Sequence, residues 1–201
     1  MGDKKYSIIT IGREYCAGGT SVAERLSKKL GIPWYDRDFA ALTAKNSGYS
    51  LDEILEEGEE LSEFQGFLNS FLNNVTSYTS SYDEIYKAQK EALLMLKQPC
   101  IVIGRCGNLI YKDEGINSFD IFLHADEDVR LARAKERHND PDLDMKYIEK
   151  KDSKRENYYK NYTKHEIADC RDYNICLDTG VISYDECAEI LAGILKDKLV
   201  L

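Results

Sequence analysis

The stretch "TIGREYCAGGTSVAERL" (residues 10–26) constrains the fold more than any other part of the sequence. It continues an apolar, β-rich run at residues 6–12 and leads into residues 20–31, where apolar side chains recur at helical spacing. Gly31 is placed to end that helix. A strand, a glycine-bearing turn and a helix in this order are typical of loops that bind phosphate. We call residues 13–20 the glycine loop.

The glycine loop matches only half of the phosphate-binding motif G-x-x-x-x-G-K-[ST]. Aligning Thr20 with the hydroxyl position puts Gly18 on the second glycine, Arg13 on the first glycine and Gly19 on the lysine. The remaining glycines and the helix start can still offer backbone N–H groups to an anion. Arg13 is a candidate replacement for the missing cation, because a guanidinium can bind two phosphate oxygens. The alternative is a turn whose glycines serve only chain reversal.

Strand-like and helix-like segments alternate along the rest of the chain, which predicts an α/β fold around a mostly parallel sheet. Four further β-rich runs bring the predicted sheet to five strands: residues 32–36, 99–104, 119–125 and 173–179. A final helix is predicted after Ser183, with Glu186 at the capping-box position.

Two intervals differ from this alternation. Residues 38–97 combine an acidic run with an uncharged stretch, and their apolar residues fall at helical spacing. We therefore expect a helical insertion between the second and third strands. Residues 128–164 are basic in a chain that is otherwise acidic, which makes them candidates for contact with an anionic ligand.

Composition excludes several classes of function. The net charge of −9 argues against a nucleic acid polymer as partner. The six cysteines form no C-x-x-C pair, so we expect free thiols rather than a zinc site. The sequence shows no signal-peptide apolar region and no apolar run long enough for a membrane span. We therefore expect a cytoplasmic protein without a membrane partner.

Over nearly its whole length the chain resembles the cytidylate kinase-like branch of the nucleoside monophosphate kinases. Its opening is similar to that branch's lysine-free G-R-E-x-G-S-G-G loop, with Cys16 and Ala17 at the G-S positions. Other segments resemble the strand-end Gly-Arg, the helix that leads into the lid, and the lid's return helix: "VIGRCGNLI", "FLHADEDVRLARAKER" and "KKDSKRENYYKNYT". Cytidylate kinases carry Gly-Arg-Asp where this chain has Gly104, Arg105 and Cys106.

The resemblance implies a P-loop kinase fold, with a five-stranded parallel sheet flanked by helices, a helical insertion of the type that binds a nucleoside monophosphate, and a lid. We expect a single domain over residues 1–201. Its parts are a core at about 1–37 and 98–201, the insertion at about 38–97, and the lid at about 138–160.

The implied function is ATP- and Mg²⁺-dependent phosphoryl transfer to a nucleoside monophosphate, with CMP as the first acceptor to test. The partner would be a small nucleotide, and the sequence leaves the oligomeric state open. One alternative is a non-catalytic nucleotide- or anion-binding protein, because both the lysine and the acid of Gly-Arg-Asp are replaced. Another keeps the chemistry but uses a different small acceptor.

Phosphoryl transfer depends on alignment and positive charge, so the candidate residues are those that bring cations, hydroxyls and N–H groups to one crevice. The predicted catalytic residues are Arg13, Arg105, Arg133, Arg137 and Arg155. Predicted phosphate-binding residues are Arg13, Ala17, Gly18, Gly19, Thr20 and Ser21. The hydroxyl that faces Mg²⁺ is assigned to Thr20 or Ser21, and the acceptor is assigned to Asp36, Arg37 and Arg105.

Each assignment has a purely structural alternative. Thr20 and Ser21 have the side chains that cap helices, and Asp36 is equally suited to a cap beside a solvated Arg37. Arg105 could lie on the surface after a strand, and most charged helix faces are simply solvated. The tyrosines at 158, 159 and 162 could stack on a base, although packing between helices is the commoner role.

Overall fold

The computed structural model describes residues 5–36, 90–91, 93–96, 98–104 and 106–200. The chain divides into two compact units, Met1–Trp34 with Gln98–Leu201, and Tyr35–Lys97. Residues 90–91 and 93–94 are helical, and Leu93 and Leu96 are buried. The rest of the insertion predicted at residues 38–97 lies outside the described residues, so its helical character stays a prediction.

Strands and helices follow one another along the described part of the chain, and the second strand ends at Tyr35 in the second unit. In chain order they are β1 Ile8–Arg13, α1 Gly19–Leu30, β2 Trp34–Tyr35, β3 Cys100–Ile103, α2 Gly107–Asp113, β4 Ser118–His124, α3 Glu127–His138, α4 Met145–Thr163, β5 Ile175–Asp178 and α5 Tyr184–Leu195. The strands form one sheet in the order β2-β3-β1-β4-β5. Strand β1 is parallel to both β3 and β4, and β4 is parallel to β5. The predicted five-stranded parallel sheet is confirmed, with β2 shorter than expected.

Both faces of the central strand β1 are buried, because side chains alternate between the two faces of a strand. Ile9 and Ile11 lie in the main apolar cluster with residues of α1 and α5, including Leu26 and Leu191. Thr10 belongs to the opposite face, where its hydroxyl donates a 2.7 Å hydrogen bond to Oδ1 of Asp120 on β4. The sheet therefore has helices on both sides, as a parallel sheet requires.

Gly12 near the end of β1 leaves room for a tyrosine. A β-carbon at Gly12 would lie 3.0 Å from the phenol oxygen of Tyr173 and 3.3 Å from Cδ2 of Phe122. The Tyr173 hydroxyl donates a 2.7 Å hydrogen bond to the carbonyl of Ile167, and burial raises the pKa of this phenol above its usual value. The segment between α4 and β5 is thereby held against β1.

A second hydrogen bond on this face joins α2 to α4. The side-chain amide of Asn108, in the first turn of α2, donates to the hydroxyl of Tyr159 at 3.0 Å. Burial raises the pKa of Tyr159 to about 12, so the phenol stays neutral. Tyr158 and Tyr159 are both buried, and the ring of Tyr158 packs 4.8 Å from that of Tyr162.

The helix ends agree with the local signals in the sequence. Gly31 follows α1 in the left-handed conformation, with φ of 67°, and its N–H donates to the Ser27 carbonyl. At the start of α5, Ser183 and Glu186 form the predicted capping box. Helix α1 begins one residue earlier than expected, because Gly18 adopts the left-handed conformation that turns the chain into the helix.

None of the six cysteines forms a disulfide. Among the described helices, none is both long enough and apolar enough to cross a membrane.

We expect Gly31→Ala to lower the free energy of unfolding by about 1 kcal/mol, because a β-carbon is strained at positive φ. Gly193→Ala is the matched control. Gly193 is exposed inside α5, nothing lies within 4 Å of its would-be β-carbon, and the substitution should stabilise the protein by about 0.5 kcal/mol. Urea unfolding of both variants measures the difference, and a loss of similar size at both positions would contradict this account.

Candidate functional site

The glycine loop lies at the carboxyl end of the sheet. Strand β1 lies between β3 and β4, and the chain leaves β1 towards β2 on one side of it but leaves β4 towards β5 on the other side. Parallel α/β sheets bind ligands in the crevice that such a reversal of strand order creates. Two residues of the loop have positive φ, Cys16 at 59° and Gly18 at 82°. The loop is therefore compact and turns sharply between β1 and α1.

The carbonyl oxygens of the glycine loop have partners outside it. Three successive carbonyls accept hydrogen bonds from side chains: Tyr15 from Arg130 (3.4 Å), Cys16 from Arg133 (3.3 Å) and Ala17 from Thr179 (2.9 Å). The N–H of a planar trans peptide points opposite to its C=O, so the N–H of Gly18 points away from Thr179. The loop is held by its carbonyl oxygens, and this N–H points to the other side.

The start of α1 adds further N–H groups. The first hydrogen bond of this turn runs from the Val22 N–H to the Gly18 carbonyl at 3.0 Å. The N–H groups of Gly19, Thr20 and Ser21 come before it and have no carbonyl within the helix to donate to. They lie at the positive end of the helix dipole. The structure thus provides the half of a phosphate-binding loop that depends on the backbone.

Arg13 lies beside Gly19, the position that aligns with the missing lysine. A β-carbon at Gly19 would lie 3.1 Å from Cγ, 3.2 Å from Cδ and 3.4 Å from Nε of Arg13. A residue with a side chain at position 19 would force the arginine to move. The arginine side chain therefore occupies space at the point where a lysine side chain would begin.

Tyr184, the first residue of α5, covers the outer side of Gly18. A β-carbon at Gly18 would lie 2.2 Å from Cε1 of the tyrosine ring. The guanidinium carbon of Arg133 lies 4.9 Å from the ring centroid, and that of Arg25 lies 5.6 Å from it. The ring and the two cations therefore lie together on one side of the loop, against Gly18.

Tyr15 joins the glycine loop to α3 and α4. Its ring is fully buried and packs with Ala134 of α3 and Ile148 of α4. Its hydroxyl lies 2.7 Å from Nε2 of His138 and 3.4 Å from the hydroxyl of Tyr147. A bulky aromatic side chain inside a glycine-bearing loop thus packs into the helix pair.

Arg130 is a buried cation between two carboxylates. It lies 3.3 Å from Glu14 of the loop and forms an ion pair with Asp152 of α4. The other carboxylate oxygen of Asp152 accepts a 2.7 Å hydrogen bond from the Tyr15 N–H. Burial raises the pKa of Glu14, while the charge of Arg130 acts in the opposite direction. Loop, α3 and α4 therefore share one buried ionic network.

Most of the predicted site residues meet at the glycine loop. Arg133 donates to the Cys16 carbonyl of the loop, and the guanidinium of Arg155 lies 5.2 Å from the ring centroid of Tyr15. Arg137 lies exposed in the last turn of α3, and Asp36 directly follows β2 in the second unit. Arg37 and Arg105 lie outside the described residues. The assigned roles of all these residues stay predictions.

Four residues at the loop were missed by the sequence analysis: Glu14, Tyr15, Asp152 and Thr179. The sequence contains a signal for one of them, Asp152. Ile148, Asp152, Arg155 and Tyr159 recur at spacings of four, three and four residues, so two charges lie on the stripe of α4 that carries apolar side chains. A charge on such a stripe predicts a buried ion pair, but not its partner.

The positive φ of Cys16 generates a prediction about the loop. The residue stands where the related loop has glycine, and left-handed backbone strains any other side chain. We expect Cys16→Gly to be about 1 kcal/mol more stable than Cys16→Ala, because alanine keeps the strained β-carbon and glycine does not. Urea unfolding of the two variants provides the comparison. Equal stability would show that this backbone carries no strain.

Known proteins resemble the chain in both sequence and structure. The model of the cytidylate kinase-like family matches residues 8–181. A cytidylate kinase from Thermoplasma acidophilum is 28% identical over 188 residues, which cover 92% of this chain and 90% of that protein.

Two solved structures show the fold. An uncharacterized protein from Eubacterium ventriosum aligns with a TM-score of 0.64 at 23% identity, covering 94% of this chain and 98% of its own. Shikimate kinase from Acinetobacter baumannii, in complex with shikimate, aligns with a TM-score of 0.55 at 16% identity, covering 97% and 96%. The predicted P-loop kinase fold is confirmed, and the chain belongs to the cytidylate kinase-like family.

Proposed function

We propose that the protein transfers a phosphoryl group from ATP, with Mg²⁺, to a nucleoside monophosphate, and that CMP is the first acceptor to test. Membership of the cytidylate kinase-like family supports a kinase-type enzyme. The name of the Thermoplasma relative supports a cytidylate acceptor. The observation that carries the proposal is the place of Arg13, whose side chain lies against Gly19 at the position of the missing lysine.

The backbone and Arg13 divide the task of holding phosphate. The N–H groups of Gly18, Gly19 and Thr20 donate to phosphate oxygens, and the helix dipole adds a favourable field. Arg13 supplies the positive charge and can bind two oxygens at once. Because phosphoryl transfer needs alignment and charge stabilisation more than covalent help, these groups account for the main requirements.

The first turn of α1 also fits a metal–nucleotide complex. Thr20 is exposed there, and its hydroxyl is the side chain suited to a metal ligand, with Ser21 as the alternative. Among the described residues, no group of three or more His, Cys, Asp or Glu side chains could hold a metal ion by itself. A magnesium ion would therefore arrive with the nucleotide and neutralise charge on its phosphates.

Helix α4 supplies further cations near the loop. Lys151 and Arg155 both lie over the ring of Tyr15, with the Lys151 ammonium 5.7 Å from its centroid. We assign them to the charge that develops on the transferred group. Asp36, Arg37 and Arg105 keep their predicted role at the acceptor, and Arg137 keeps its predicted role as a further cation.

A direct assay tests the function. The purified protein is incubated with ATP and Mg²⁺ against CMP, UMP, AMP and GMP, and diphosphate products are measured. We expect a diphosphate product with at least one pyrimidine nucleotide. If none of the four acceptors gives a product, the proposal is contradicted. If ATP nevertheless raises the melting temperature of the protein, the alternative of a nucleotide-binding protein without turnover is favoured.

One observation favours that alternative. Cys106 stands where cytidylate kinases carry the acid of Gly-Arg-Asp, and its side chain is buried. Cys106→Asp distinguishes the two functions. If the parent protein phosphorylates an acceptor, catalysis by this protein does not depend on an acid at position 106. If turnover appears only in the variant, the parent is a binding protein.

Replacing Arg13 tests its role as the substitute cation. We expect Arg13→Ala to lower kcat/KM for ATP by about a hundredfold or more, because one charge-stabilising donor is lost from the transition state. Lys28→Ala, which removes an exposed lysine of α1, should leave the rate unchanged.

A compensating substitution tests the same assignment more sharply. Gly19→Lys alone should be less active than the parent, because its β-carbon would lie 3.1 Å from Cγ of Arg13 and displace the arginine. In the double variant Arg13→Ala/Gly19→Lys, the obstruction is removed and a lysine stands at the standard position. We expect the double variant to be at least tenfold more active than Arg13→Ala. If the double variant unfolds like the parent but recovers no activity, the proposal that Arg13 takes over the role of the missing lysine is contradicted.

A further inference from the structure

We propose that Tyr15 and Asp152 are positioning residues that fix α4, and with it Lys151 and Arg155, against the glycine loop. The inference rests on the proposed function for its catalytic consequence. Its structural part is independent of that function: the glycine loop and the first half of α4 form one mechanical unit.

Asp152 contacts the loop backbone directly. Its Oδ1 accepts the Tyr15 N–H at 2.7 Å, and its Oδ2 pairs with Arg130. Arg130 in turn donates to the Tyr15 carbonyl at 3.4 Å. One amino acid of the loop thus has its N–H bound by α4 and its C=O bound by α3. Backbone contacts of this kind fix the position of the loop whatever side chain stands at residue 15.

The side chain of Tyr15 provides a second, separate contact with α4. The guanidinium of Arg155 lies 5.2 Å from the ring centroid, and the ammonium of Lys151 lies 5.7 Å from it. Both distances fall within the range of cation–π attraction. The ring therefore supports the two cations that are assigned to the reacting group.

The two contacts together determine how α4 is rotated. Asp152 and Arg155 are three residues apart, so they share one face of the helix. Asp152 holds that face at the Tyr15 N–H. About one turn further along the helix, Arg155 holds the same face at the Tyr15 ring. A helix held at two points on one face cannot rotate without breaking one of them. The position of the cations is thus coupled to the shape of the loop.

A purely structural role would predict a different result from substitution. Loss of packing alone lowers stability and leaves the rate of the folded fraction unchanged. Loss of positioning lowers kcat in protein that is still folded, because a displacement of about 1 Å is enough to cost up to a hundredfold in rate. The split between kcat and KM, measured where each variant is shown to be folded, separates the two roles.

The variants are chosen to remove one contact each. Asp152→Asn keeps an acceptor for the Tyr15 N–H and removes the charge opposite Arg130, whereas Asp152→Ala removes both. Tyr15→Phe keeps the ring, whereas Tyr15→Leu keeps an apolar filler without a ring face. Glu149→Gln is the control, because it neutralises an exposed carboxylate of the same helix.

We expect kcat to fall about tenfold or more in Asp152→Ala and Tyr15→Leu, with KM for ATP within about threefold of the parent value. Tyr15→Phe should keep most of the activity, since ring and backbone contact both remain. Glu149→Gln should match the parent. Unchanged kcat in Asp152→Ala and Tyr15→Leu, with lowered melting temperatures, would reduce both residues to a structural role and overturn the inference.

Hydrogen–deuterium exchange tests the coupling without any turnover. In Asp152→Ala we expect faster exchange in residues 14–18 and in residues 145–155 together, and in Glu149→Gln we expect it in neither. Faster exchange in α4 with an unchanged loop would overturn the proposed mechanical unit.

The same measurement separates a failure of the inference from a failure of the proposed function. If the parent phosphorylates no acceptor, the proposed function fails, and the inference is decided by exchange with the non-hydrolysable analogue AMP-PNP and Mg²⁺. The analogue should then slow exchange in the loop and in α4 of the parent, but only in the loop of Asp152→Ala. Equal slowing of both segments in parent and variant would overturn the inference.

Discussion

The arrangement of the site depends on Arg130, a buried cation with a carboxylate on either side. Removing a guanidinium from water is unfavourable unless charges and hydrogen bonds replace the lost hydration. Here the replacement comes from Glu14 of the glycine loop and Asp152 of α4. Moving either segment away would leave a buried charge without its full compensation. The ionic network therefore favours one relative placement of loop, α3 and α4.

Hydrogen bonds to its carbonyl oxygens also fix the shape of the glycine loop. Three of its carbonyl oxygens accept hydrogen bonds from Arg130, Arg133 and Thr179, which disfavours rotation of these peptides to present C=O groups to an anion. Arg133 has a further contact through Thr179, whose carbonyl accepts from its other nitrogen at 2.7 Å. Arg133, which the sequence analysis assigned to the ligand, thus contributes to the shape of the loop.

The features that were predicted correctly are determined by residues close together in the sequence. The five strands, the end of α1 at Gly31 and the capping box at Ser183 follow from residue types within a few positions of each other. These features needed no knowledge of the tertiary structure. Arg133 of α3 and Arg155 of α4 also lie at the glycine loop, whereas the roles assigned to them stay predictions.

The contacts that were missed join residues far apart in the chain. Tyr15 and Asp152 are separated by 137 positions, and Thr179 lies still further from the loop whose carbonyl it binds. Nothing in the local pattern identifies such partners. A buried charge on α4 indicated that a partner exists, whereas its identity follows only from the way α3 and α4 pack on the loop.

The contact between Arg13 and Gly19 links the two positions in evolution. A β-carbon at residue 19 would lie 3.1 to 3.4 Å from three atoms of Arg13, so the arginine would have to shift by a few tenths of an ångström to admit it. Glycine is therefore the residue that fits position 19 without such a shift while an arginine ends β1. We expect substitutions at the two positions to occur together in relatives of this chain.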